Sequence, residues 1–254
     1  MAGLVSILSA DDWRLVVVVT FQATLLAYLP APRAKALLLS LPIPFTLATL
    51  ALGRPVDATN ALGLILLLAY THAVRLLYCK VRLPILAAIS LAAAGYAAAA
   101  CLVSPLVPAG PAAFWISLTA AWLLSLAIYL SMPPRDEPEH RTSLPVWLKM
   151  PAVAAVIFCL AVIKYQLRGF LTVFPMVGLV AAYESRYSLW TLARQISLFL
   201  LASAPMLAVV RLAEPVAGLE FALAAGWLVF LPILTCLRRF DAPGRMFSRG
   251  RPRT

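Results

Sequence analysis

Long aliphatic runs alternate along this chain with short breaks of proline, glycine and charge. Nine runs, at about 13–30, 36–53, 58–78, 84–104, 111–131, 146–164, 169–184, 188–210 and 215–237, predict nine helices. Most run about 18 to 22 residues, enough to cross roughly 30 Å of hydrocarbon at 1.5 Å per residue. The apolar/polar alternation of half-buried strands is absent, and backbone in lipid must satisfy itself within each segment, so helices are the expectation. The pattern therefore predicts an all-α, polytopic membrane protein.

The pattern also repeats. The run KALLLSLPIPFTLATLALG, 35–53, opens on Lys35 with Pro42 seven positions later, and RGFLTVFPMVGLVAAY, 168–183, opens on Arg168 with Pro175 seven positions later. A tryptophan-headed run precedes each, from Trp13 and Trp147. A second run and then a proline-headed third follow, at Pro84 and Pro215. This reads as an internal duplication. Four helices form each copy and the fifth lies between them unpaired, so an odd number of crossings inverts one copy relative to the other. The expected ground plan is a 4+1+4 inverted repeat. It divides the chain into an extracytoplasmic tail (1–12), repeat 1 (13–104), a linking helix (105–131), a cytoplasmic connector (132–145), repeat 2 (146–237) and a basic cytoplasmic tail (238–254). Residues 1–12 lack a basic head, so no secretory signal is predicted there.

Composition sharpens this picture. The chain is 63% hydrophobic and 12% charged over 254 residues, too few charges to clothe a globular surface. The net charge of +11 raises nucleic acid as a partner, but six of the 21 basic residues fall in the last 17 positions and no aromatic-interleaved binding module surrounds them. No nucleic-acid binding is expected. With nine spans and the tail inside, 16 basic residues face the cytoplasm and five face out, which orients the N-terminus outside and the C-terminus inside a cell's inner membrane. The four cysteines have no metal or disulfide spacing.

The phrase FLTVFPMVGLVAAY, with a basic residue ahead of it and an Arg-containing helix behind, resembles the GlpM-like small membrane proteins, single four-helix units of about this repeat's size. LLLSLPIPFTLATLAL in the first copy is similar to the related family of uncharacterised four-helix proteins. The resemblance covers each repeat separately and omits the fifth helix. It implies a link to exopolysaccharide production and brings no catalytic residues.

Candidate chemistry is sparse. HExxH, GxSxG and GxxxxGK[ST] are all absent, so no catalytic residue, metal or cofactor is expected and the chain is not read as an enzyme. Inverted repeats are a ground plan of secondary transporters. The expected function is transport or lipid-type flipping by alternating access, with the lipid bilayer and a small-molecule or lipid-linked substrate as partners. The alternative is a non-catalytic accessory or scaffold protein of envelope or exopolysaccharide biosynthesis. Pro42 and Pro175 deny a helix one N–H about seven residues in; each is either a plain kink or a break that frees carbonyls for a ligand. Gln22, Thr46 and His72 are polar where lipid is expected and should face the interior, as substrate contacts or, for His72, as a neutral imidazole bonded to a hydroxyl. Arg194 either snorkels to head groups or pairs with Glu184 across the hairpin at an inner mouth.

Overall fold

The computed structural model describes residues 9–28, 38, 41–108, 110–135, 137, 150–151, 154–159 and 167–241. Among these residues every regular element is helical. In order they are α1 (Ala10–Tyr28), α2 (Ile43–Leu52), α3 (Ala58–Cys79), α4 (Ile85–Val103, continued by a 3-10 turn to Leu106), α5 (Pro111–Ser131), α6 (Phe170–Val173), α7 (Met176–Glu184), α8 (Leu189–Ala217) and α9 (Leu219–Asp241).

Five of them, α3, α4, α5, α8 and α9, are long and apolar enough to cross a membrane, and such helices are consistent with insertion into one. That is fewer than the nine expected spans. The first expected span is a 19-residue helix, but Asp11, Asp12 and Arg14 crowd its first turn and shorten its apolar part. The sixth, 146–164, lies mostly outside the described residues, although 154–159 are helical. The second and seventh are short because of their prolines. Steric clash with a proline ring drives the preceding residue out of the α region, and Phe174, ahead of Pro175, is extended at φ −56°, ψ 136°. Pro42 and Pro175 therefore stand at the N-caps of α2 and α7, where no helical N–H is needed. Neither is a kink inside a continuous helix.

Pro215, by contrast, stops nothing. Helix α8 passes through Pro205 and Pro215 and ends only at Gly218, whose φ of 81° suits a residue without Cβ. The eighth helix thus extends seven residues past its expected end. Helix α9 starts at Leu219 and carries Arg238 and Arg239 in its last turn, not in a tail.

Helix α8 is the centre of the bundle, with residues such as Ala193, Ser197, Leu200, Ala202, Met206 and Val210 buried. It packs on α9, α5 and α3. Helix α3 packs on α4, and α5 lies against both α3 and α8. The short helices cross the middle: α6 meets α2 and α3, α7 meets α1 and α4, and α9 touches α2. The ring of Trp13 on α1 lies 6.2 Å from that of Phe158. Outward positions on α4, α5 and α9 are bare hydrocarbon, including Leu102, Ile116 and Leu228.

Candidate functional site: a cavity between two broken helices

Both proline breaks border one partly open cavity of about 70 Å³. Pro42, Pro44 and Phe45 line it from α2, and Thr172 to Gly178 line it from the α6–α7 break. Leu64 and Leu67 of α3 and Ile196, Phe199, Ser203, Met206 and Leu207 of α8 complete the wall. No lining residue is charged. The two hydroxyls are already engaged: Ser203 donates to Phe199 O at 2.9 Å and Thr172 to Gly169 O at 2.7 Å. The cavity thus offers dispersion contacts and little free hydrogen bonding, a surface for hydrocarbon or an uncharged ring.

The second break is pinned from α3. Asp57 and Asn60 form a capping box at the start of α3, which fixes the amide of Asn60. Its Nδ2 donates to Thr172 Oγ1 at 2.9 Å, and the Gly169 N–H donates to Thr59 Oγ1 at 2.9 Å. The approach is so close that a Cβ on Gly169 would lie 2.4 Å from Thr59 Oγ1 and 2.5 Å from Asn60 Oδ1. Only glycine fits there.

Each break also receives an aromatic donor from a neighbouring helix. Tyr96 of α4 donates its hydroxyl to Phe170 O at 2.9 Å and sets its ring edge-on to Phe174. Trp227 of α9 donates its indole N–H to Thr46 Oγ1 at 2.8 Å, while Thr46 donates to Pro42 O at 2.9 Å. These two aromatics are 131 residues apart, the same offset that separates Pro84 from Pro215. Ala93-Ala94-Gly95-Tyr96 and Ala224-Ala225-Gly226-Trp227 are one phrase written twice. That phrase was the available signal for this pair, obscured by the alanine-rich run around the first copy.

Of the expected substrate contacts, the structure brings Pro42 and Pro175 together at the cavity and places Thr46 on the tie from α9. Gln22 and His72 are elsewhere. Gln22 is buried on α1 and donates Nε2 to Leu38 O at 2.9 Å, which ties α1 to the chain entering α2. His72 lies half-buried toward the far end of α3, with no hydrogen bond to Nε2 among the described residues. Among the described residues Nε2 has no hydroxyl partner of the kind expected.

The expected Glu184–Arg194 pair is not the one Arg194 makes. Its guanidinium pairs with Asp241 of α9, donates Nε to Met132 O at 2.6 Å and sits 4.4 Å from the Tyr129 ring centroid. The Tyr129 hydroxyl donates to the same Asp241 carboxylate at 2.9 Å. The reason is topological: α8 and α9 are an antiparallel hairpin, so the end of α9 returns beside the start of α8. Glu184 is buried at the end of α7.

Loop contacts sort into two clusters. In one, Arg211 donates to Val56 O, Glu214 accepts from Val56 N–H, and Arg168 donates to Ser104 O. In the other, the connector docks on the start of α8: Trp190 donates to Pro133 O at 2.9 Å and Glu137 accepts from the Thr191 N–H at 2.8 Å. Among the described residues no group of His, Cys, Asp and Glu side chains could hold a metal ion. No family model, curated protein or solved structure matches the chain.

Proposed function

We propose that the chain is a nine-span transporter or lipid-type flippase of the inner membrane, built as a 4+1+4 inverted repeat from two GlpM-like units. Its substrate is apolar or amphiphilic and occupies the cavity between the broken helices. One observation carries this reading. Two proline breaks from the two copies border a single cavity, and each is tied by an aromatic at the equivalent position of the other copy.

Several contacts among the described helices recur when the copies are exchanged, which supports the duplication. The α3–α4 and α8–α9 pairs correspond, as do α4 on α7 and α9 on α2, while α5 touches α3 and α8 alike. The two loop clusters hold the residues expected on opposite sides of the membrane, with Arg168 and Arg211 outside and Arg135 and Arg194 inside. Two equivalent ties across one cavity suit alternating access: releasing Trp227 from Thr46 opens one side while Tyr96 holds the other. A neutral lining implies that any substrate charge stays at the mouth, outside the apolar wall.

Reconstitution into vesicles tests this. Tail-labelled phospholipids and apolar fluorescent probes should equilibrate across the bilayer faster than in protein-free vesicles, and Ser203→Phe, which fills the cavity, should stop them in a folded protein. Protein-free rates for every probe, with co-purification of a biosynthetic complex, would instead favour the accessory reading.

A further inference from the structure

Away from the cavity, two cations share one aromatic surface. The Arg135 guanidinium lies 3.5 Å and that of Arg75 4.8 Å from the ring centroid of Trp190, so their central carbons are at most about 8.3 Å apart. The indole is fixed by its bond to Pro133 O. The stacking is favourable for each cation, but the two repel, and among the described residues neither has a carboxylate partner. Of the described acids on the segments that flank them, Glu137 caps the Thr191 N–H and Asp241 is paired with Arg194. His72, three residues before Arg75 and so on the same face of α3, keeps Nε2 buried without a partner among the described residues.

Two planar forks stacked on one ring, with no carboxylate on either among the described residues, form a positive pair that an anion would neutralise. We propose that Arg75, Arg135 and Trp190 form a binding site for a phosphate group, borne by a lipid head group or by a soluble phosphate. Guanidinium recognises phosphate with paired N–H···O bonds of about 2.7–2.9 Å, and two guanidiniums beside one ring concentrate such donors at one place. The site stands whether or not the cavity transports anything.

The test uses the full chain in neutral detergent, with phosphatidylglycerol, phosphatidylcholine, glycerol 3-phosphate and inorganic phosphate as probes in equilibrium binding. Phosphatidylglycerol should bind saturably, and Arg75→Gln or Arg135→Gln should each weaken it at least about tenfold. Arg239→Gln removes the same charge from an exposed position at the end of α9 and should change affinity less than about twofold. If the glutamine variants fail to fold, Arg75→Lys and Arg135→Lys keep the charge without the fork and should still bind markedly more weakly than wild type. Displacement of phosphatidylglycerol by either soluble phosphate assigns the site to the phosphate group alone. Lipid binding without displacement assigns it to the head group in its membrane. Saturable binding of none of the probes, equal weakening by Arg239→Gln, or lysine variants equal to wild type would overturn it.

Discussion

The two broken helices are alike in sequence and unlike in how they are held. At the second, Asn60, Thr59, Gly169 and Thr172 interlock, and Tyr96 closes the other side. At the first, the ties among the described residues are single hydrogen bonds, Trp227 to Thr46 and Gln22 to Leu38. The second break is anchored by backbone contact so close that no side chain fits. The first hangs from side chains that can rotate. Equivalent position does not mean equivalent anchoring among the described residues, and on the transporter reading proposed above the first break is the side expected to move.

Gly169→Ala attacks the anchored side. With a Cβ 2.4 Å from Thr59 Oγ1, the α3–α6 contact must part, at about 3 kcal/mol or more. Gly53→Ala is the counterpart: it meets only a carbonyl oxygen at 4.0 Å and bears the strain of φ 60°, about 1–2 kcal/mol. Equal losses in chemical denaturation would remove the asymmetry. Asn60→Ala comes next, leaving the Asp57 N–H and Thr172 with lost partners at about 2 kcal/mol. A melting temperature unchanged from wild type would show that the interlock contributes nothing.

Arg194 sharpens a different contrast. The double variant Arg194→Ala/Asp241→Ala should be less harmful than the sum of its singles, with coupling of about 1–2 kcal/mol, whereas Arg194→Ala/Glu184→Ala should be additive. Coupling to Glu184 of similar size would contradict the geometry.

The aromatic ties divide flux from stability. Tyr96→Phe and Trp227→Phe each delete one hydrogen bond, about 1 kcal/mol. On the reading above, Trp227→Phe shifts transport rate while Tyr96→Phe lowers stability first. The same rate change from both would mean that both sides move alike. Pro42→Ala should have the smallest effect on stability, under about 1 kcal/mol, because a helix start needs no N–H there. A gain near the 3 kcal/mol expected of a helix interior would restore the kink.

Much of this was readable in the chain because hydrocarbon length is written directly in sequence. The bounds of α3, α4 and α5 match their apolar runs to within a residue or so. What could not be read depends on neighbours. Pro42 and Pro215 look alike in a string of letters, yet one begins a helix and the other lies within one, since packing along α8 carries that helix past a missing hydrogen bond. Arg194 has Glu184 nearby in sequence and Asp241 nearby in space. Tyr96 and Trp227 gave no polar signal because each is mostly a hydrophobe with one donor at its tip.

Helix α8 has one more consequence, for the bilayer itself. Arg194 and Arg211 are both held by other elements, and the 16 residues between them, 195–210, carry no charge. At 1.5 Å per residue that interval is about 24 Å, shorter than the roughly 30 Å of an average hydrocarbon layer and shorter still if the helix tilts. Neither arginine is free to reach outward, so on the spanning reading proposed above the mismatch falls to the helices packed around α8 and the lipid they meet. The protein should then be most at ease among short-chain lipids, a preference set by the spacing of two fixed charges.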